Sequence, residues 1–433
     1  MIHFSNYFNF TRSLSIIVFF SLFSYPAFAD INNGDTAWVL TSTALVLFMT
    51  LPGLALFYAG LVNSKKVVSV LMQHFALACM VSVIWVILGY SLAFSEGNEW
   101  IGGFSNIFMN AIDVNSPSGS IPESLFATFQ MTFAIITPAL MIGAFVERIK
   151  FSAMLIFLSM WLLVVYVPVT HWVWGEGILS SWGTMDFAGG IVVHATAGTA
   201  ALVTALTLGK RRGFPKSITP PHSPILTMIG ASMLWIGWFG FNAGSALGAN
   251  GGAGMAMLVT HISAATASLV WMFIEWRRFG KPSLIGIVTG MVAGLATVTP
   301  ASGYIGVPGG LVLGFFGGLF CYLAVDYIRG KLQIDDSLDV FAVHGVGGIL
   351  GTLLVAFLAT STFSGLGLAE GQTAVSQFFV QFKAVVLTVV WTSVFTYLIL
   401  KITSFIVPLR VDEQEEIEGL DLRSHGEKGY HSD

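Results

Sequence analysis

Along most of the chain, apolar residues run on for about 20 positions and then give way to short polar stretches. A hydrocarbon core about 30 Å thick needs roughly that many helical residues to cross it. The pattern predicts eleven spanning helices, near Thr36–Val62, Val67–Phe94, Pro122–Val146, Phe151–His171, Phe187–Gly209, Pro224–Gly244, Gly252–Trp276, Ser283–Ala301, Ile305–Ile328, Val340–Thr360 and Ala374–Phe405. No segments alternate apolar and polar residues, which argues against a β-barrel. The expected fold class is therefore an all-α polytopic membrane protein.

The polar positions between the spans give a second, independent pattern. Lys65 and Lys66, Arg148 and Lys150, Lys210 to Lys216, Arg277 to Lys281, and Arg329 with Lys331 follow the odd-numbered spans. The alternate loops carry Glu96, Glu99, Asp113, Glu123, Glu176 and Glu370 without Lys or Arg. Cytoplasmic loops are enriched in Lys and Arg, so this orders the spans with the N-terminus outside and the C-terminus inside. Lys383 is the exception, placed where its ammonium can snorkel to the outer interface. Five spans precede the Lys210–Lys216 loop and five follow it. Thr137-Pro138-Ala139 and Thr299-Pro300-Ala301 correspond across that loop. The pattern predicts an inverted 5+5 repeat with one extra helix, and such repeats place the substrate path between their halves.

Composition agrees with this assignment. Of 433 residues, 55% are hydrophobic and 10% charged, against about 25% charged in soluble domains. The net charge of −4 excludes a nucleic-acid partner read from basicity. Cys79 and Cys321 lie in apolar runs and are expected as buried thiols. At the N-terminus, Arg12, the apolar run Leu14–Phe23 and Ala27-Phe28-Ala29 have the order of a cleavable signal peptide. The expected organisation is a leader over residues 1–29, a membrane domain over 30–405 and a cytoplasmic tail over 406–433. By composition the tail reads as a charged, disordered segment.

Ionisable side chains within spans are costly and carry function by default. Asp186 and His194 open one apolar segment, and Asp336 and His344 open another at the same spacing. Small residues follow both histidines, and these let helix backbones approach closely. The two imidazoles can then meet, one donating and one accepting; the plainer reading has each bonded to a backbone carbonyl. Asp186 suits a helix N-cap, and equally an attraction for cations at the outer mouth. Asp336 and Asp339 mirror it as expected caps on the other side. His74, His171 and His261 have no counterpart in the other half and are expected to be structural.

Trp235, Trp238, Phe241, Asn242 and Ser245 form an aromatic and polar face in the sixth span, and Phe129 and Phe133 lie one turn apart in the third. Trp174, just outside the fourth span, is either an interfacial anchor or part of a cage. A Trp, a Phe and a Ser hydroxyl together can bind a small cation by cation–π attraction and one hydrogen bond.

Asp186–His194, Trp238-Phe-Gly-Phe-Asn-Ala-Gly-Ser245, Thr299-Pro-Ala-Ser-Gly-Tyr-Ile-Gly306 and Asp339-Val-Phe-Ala-Val-His-Gly-Val-Gly-Gly348 together resemble the ammonium transporter (Amt/Mep/Rh) family, in its bacterial Amt branch. Phe145–Ser152 and Leu54–Gly60 agree. The resemblance covers essentially the whole mature chain. It implies eleven helices, a homotrimer with one pore per subunit in the bacterial inner membrane, and passage of ammonium, with methylammonium as analogue. By position it implies an outer site of Phe129, Trp174 and Ser245, with Asp186 needed for ammonium recognition or deprotonation. It implies a stacked gate of Phe133 and Phe241, and a pore lined by His194, His344 and Trp238. No cofactor, metal or enzymatic activity is implied. The tail from Glu415 to Gly426 resembles the region that links subunits and meets a PII-type nitrogen regulator.

The chemistry is coherent with that resemblance. An unpaired ion in an apolar channel costs many kcal/mol, whereas neutral ammonia crosses cheaply. A pore that strips a proton from ammonium rejects potassium, which has none to lose. The rivals are a passive channel for neutral gas or water, and a sensor signalling through the tail. An intramembrane enzyme fits poorly, because neither an H-E-x-x-H motif nor a nucleophile motif is present.

Overall fold

The computed structural model describes residues 31–430. The expected leader, residues 1–29, lies outside the described residues. Each of the eleven apolar segments is helical: α1 (Asn33–Leu61), α2 (Ser64–Phe94), α3 (Glu123–Phe145), α4 (Phe151–Ser181), α5 (Gly190–Leu208), α6 (Pro224–Gly244), α7 (Gly251–Phe279), α8 (Leu284–Val298), α9 (Val307–Lys331), α10 (Phe341–Leu358) and α11 (Ala374–Ile406). Ten are long and apolar enough to cross a membrane. The remaining one, α8, has 15 residues and stops short of the expected Ala301. Pro300 lacks an N–H and disfavours helix at the residue before it, so the chain leaves α8 in consecutive turns. A two-residue hairpin, β1 (Pro117–Ser118) with β2 (Ile121–Pro122), precedes α3.

Helices satisfy their own backbone groups, which lipid cannot do. Their free ends are closed by side chains. Asn32 accepts from the amides of Gly34 and Asp35, Ser223 from Leu226, Asn250 from Ala253 and Ser283 from Gly286. The basic loops meet at one end of the bundle, where Lys66, Glu147, Arg211 and Asp335 form ion pairs. The acidic loops occupy the opposite end, where Ile178 donates to the Glu99 carbonyl and Asn32 to the Ser120 carbonyl. These are called the basic end and the acidic end below.

Two helices begin in the same unusual way. Gly190–Ala195 at the start of α5 and Phe341–Gly345 at the start of α10 are π-helical turns, and each contains its histidine. Such turns are rare and collect at functional sites. The helices cross in reciprocal contact: a Cβ added at Gly198 would come within 2.3 Å of Gly345 Cα, and one at Gly348 within 2.5 Å of His194 Cβ. Larger residues at Gly198 or Gly348 would force the histidines apart.

Two expectations are corrected here. Cys321 is buried, but Cys79 is exposed on the flank of α2. An apolar run in lipid looks the same toward the lipid as toward the core, so the run alone does not orient a thiol. The tail also departs from disorder. It forms α12 (Glu413–Glu418) and α13 (Leu420–His425) and is tied to the basic end. Lys150 N donates to Leu409 O and Val411 N to Arg148 O. Arg410 reaches the carbonyls of Leu208 and Lys210, and Asp421 accepts from Ser69 N at 2.8 Å. Its charge finds partners on the body of the protein, which composition by itself does not reveal.

Candidate functional site

The reciprocal glycine contacts bring His194 and His344 side by side near the middle of the bundle. Their Nδ1 atoms are 3.3 Å apart, and the rings lie nearly parallel with centroids at 5.3 Å. Two nitrogens at that distance need one donor and one acceptor, so the neutral pair carries opposite tautomers. His194 Nε2 meets no polar partner among the described residues. Instead its ring stacks against Trp238 at 5.5 Å. Trp238 is held by its indole N–H, which donates to Thr299 Oγ1 at 2.9 Å, so the turn that closes α8 aims the ring that α6 carries. The expected pairing of the two imidazoles is what the structure has; the alternative, each on a backbone carbonyl, is not.

A column of aromatic rings leads from this pair to the acidic end. Phe241 is 6.1 Å from His194 and stacks on Phe133 at 4.3 Å. Phe133 meets Phe129 edge-on at 5.0 Å and Trp174 edge-on at 5.7 Å. Phe129 lies against Gly244, the residue before Ser245. The Ser245 hydroxyl donates to the Phe241 carbonyl at 2.8 Å, which leaves its oxygen free to accept from a ligand. Burial rises along the column. Trp174 and Ser245 are partly exposed, whereas Phe133, Phe241, Trp238 and His194 are each 1% exposed. The structure thus assembles Phe129, Phe133, Trp174, Phe241 and Ser245 from three segments distant in sequence. Two rings and a hydroxyl at the mouth suit a small cation, and the two stacked phenyl rings close the way below it.

Asp186 is placed as a cap. Its carboxylate accepts from the amides of Gly189, Gly190, Ile191 and Val192 at 2.6–3.1 Å, and it is 4% exposed. Gly189 makes this possible by adopting φ +112, a conformation that L side chains rarely hold. The link to the aromatic column runs through the Asp186 carbonyl, which accepts from the Trp174 indole at 3.0 Å. Asp186 therefore sets both the first turn before His194 and the edge of the outer cluster.

The basic end approaches the pair differently. A cavity of about 320 Å³ reaches His344, lined by Tyr58, Arg211, Thr219, Arg329 and Asp339 among others. Asp336 caps α10 through Phe341 N at 2.7 Å, as expected. Asp339 does not cap; it faces Arg329 at 3.4 Å. Burial alone would lift the Glu147 carboxyl, but Arg211 and then Lys66 beside it outweigh that and hold it below its usual range.

Other polar residues fall outside this path. His74 bonds to the Val70 carbonyl, His171 faces the carbonyls of Ala93 and Asn98, and His261 stacks on Trp235. Trp235 thus leaves the expected aromatic face, and Asn242 turns to Thr260 instead. Lys383 lies over the Trp182 ring at 4.5 Å. Gln377 and Gln381 of α11 are not singled out from sequence, and Arg148, read there only as a loop cation, is fully buried on Ser337 and Asp335. An uncharged amide inside a span was the available signal for the glutamines.

Together these features define a polytopic helical membrane protein with a closed aromatic approach to a buried histidine pair. The Ammonium Transporter Family model matches residues 37–430. An ammonium transporter of Aquifex aeolicus is 44% identical over 421 residues, covering 96% of this chain and 97% of that protein. Among solved structures, Mep2 of Candida albicans superposes with a TM-score of 0.82 at 34% identity, covering 89% of this chain and 88% of that one. A structure described as a sensor Amt protein superposes at 0.84 with 27% identity, covering 91% and 98%. The chain belongs to the ammonium transporter family, and its activity is ammonium transport across a membrane.

Proposed function

We propose that the protein takes up ammonium by recruiting it at Phe129, Trp174 and Ser245, deprotonating it there, and conducting ammonia past Phe133 and Phe241 to the His194–His344 pair. The observation that carries this reading is the continuity of the column: a cation-suited mouth, a stacked phenyl closure and two mutually bonded imidazoles lie in sequence. Among the described residues no free carboxylate stands along the closed part to offset a bare cation, so an apolar passage favours the neutral species. The imidazole pair offers a route for the released proton, because a tautomer shift moves it from one ring to the other. Trp238 keeps His194 in register for that exchange. Asp186 contributes by holding the first turn of α5 and the Trp174 indole, and by its charge near the mouth.

The same reading places the protein in a bacterial inner membrane, with the acidic end outside and the basic end in the cytoplasm. It takes residues 1–29 as a removed leader, the eleven helices as an inverted repeat plus one, the assembly as a homotrimer and a PII-type regulator as partner of the tail.

The test is a current recording on proteoliposomes given an ammonium jump, with potassium as control. An ammonium-specific current in the wild type, lost in His344→Ala while the purified variant keeps its unfolding temperature, supports the imidazole route. Unchanged ammonium current and selectivity in that variant would remove the histidines from the mechanism. A rise of internal pH without current would mean that ammonia alone passes.

A further inference from the structure

The last helix, α11, stands outside the pair of halves read from the sequence, yet one of its side chains reaches the segment that builds the outer cluster. Gln381 is fully buried, and each of its hydrogen-bonding groups is used. Its Oε1 accepts from Met185 N at 2.8 Å and from Gln377 Nε2 at 3.2 Å. Its Nε2 donates to Met185 O at 2.7 Å and to Thr352 O at 3.0 Å. The orientation of the amide follows from its partners, since Met185 N–H requires an acceptor and the two carbonyls require donors. Gln377 extends the clamp by donating to Gly183 O at 3.0 Å.

The residue after Met185 is Asp186. Its carboxylate caps the turn that carries His194, and its carbonyl holds Trp174. Thr352 belongs to α10, two turns beyond His344. One amide therefore ties α11 to the irregular segment before α5 and to the helix bearing the second histidine. Resting on the proposed recruitment site, we infer that Gln381 is a positioning residue for ammonium binding: it fixes the backbone at Met185 and so the place of the Trp174 indole and the Asp186 cap. A merely structural glutamine would support the fold without influencing affinity.

The test uses the full-length protein in proteoliposomes, with ammonium as the varied substrate. Gln381→Met keeps the shape and removes all four bonds. Gln381→Glu keeps the acceptor for Met185 N–H and sets an oxygen against two carbonyls. The expected result is a rise of about three- to fivefold in the half-saturating ammonium concentration, with maximal flux kept within about threefold, the signature of lost binding alone. Combined with Trp174→Leu, Gln381→Met should add little, because both act through the same contact. Half-saturation within about twofold of wild type in both glutamine variants overturns the inference, whatever their maximal flux. Failure of either variant to accumulate in the membrane also overturns it and assigns Gln381 to the fold. A wild type without saturable ammonium-dependent flux would instead refute the recruitment site on which the inference rests.

Discussion

The two approaches to the histidine pair are built from matching Asp-to-His spacing and differ in character. At the acidic end Asp186 accepts four amides, rings fill the path, and no ion pair among the described residues stands in it. At the basic end Asp336 accepts one bond from Phe341, and its other oxygen has no partner among the described residues. Water-accessible space there reaches His344 beside Arg329 and Asp339. The difference teaches that a repeated Asp-to-His segment supplies only a helix start and an imidazole. The surroundings differ: aromatic and closed at the acidic end, charged and hollow at the basic end.

This asymmetry can be broken at several points. The largest effect is expected at Asp186. Asp186→Ala strands four buried amides and loosens the turn whose main-chain carbonyl holds Trp174, so ammonium flux should fall by about 100-fold or more, while Asp336→Ala should cost only a few-fold. Equal losses in a methylammonium uptake assay would mean that the two caps are equivalent after all. If Asp186→Asn transports normally, capping by one oxygen suffices and the charge has no part.

Next comes the ion network. Arg211 contacts Glu147 and lies 3.1 Å from Asp335, with these side chains at most 10% exposed. Arg211→Ala leaves Glu147 with Lys66 alone and takes the ion-pair partner from buried Asp335, and should destabilise by about 3–5 kcal/mol. Thermal unfolding of the purified protein would read this as a clear drop, with half-saturation for ammonium unchanged. A shift in half-saturation instead would place Arg211 in the transport path.

A smaller effect is expected at the mouth. Trp174→Leu removes one cation–π face worth about 0.5–1 kcal/mol, so half-saturation should rise about two- to fivefold. No change in the flux titration would return Trp174 to the status of an interfacial anchor.

The smallest effect concerns pH. Burial, and then Asp339 beside it, push the Asp336 carboxyl up to about 7. An unfolded chain releases that proton near pH 4. Between about pH 4 and 7 the folded protein holds a proton that the unfolded one has lost, so this group's stability is present at the acid side and disappears as pH rises through the window. The unfolding temperature should decline from pH 5 to pH 8, and less steeply in Asp336→Asn. Parallel curves would show that Asp336 titrates no differently on folding.

Much of this was legible before the structure, for identifiable reasons. Apolar runs of spanning length have one low-energy solution in lipid, so the helices follow from length alone. Charged loops alternate because basic residues are retained on one side, and ion pairs such as Lys66–Glu147 then join neighbouring loops of one sign rule. His194 and His344 stood out because an imidazole in an apolar run needs a reason. Gln381 did not, since an amide costs less there than a charge and leaves no trace in loop or hydropathy patterns.

What the sequence determined by itself is thus the set of helices, their alternation, and the few polar groups too expensive to be incidental. What only the tertiary structure decided is which of those groups meet. Gly198 and Gly348 allow two histidines 150 positions apart to share a hydrogen bond. Asp186 spends its oxygens on amides, Trp235 turns away from the path, and Cys79 faces outward. Hydropathy is a property of a run of residues, whereas a site is a property of distances between runs, and those distances are set by how closely the backbones pack.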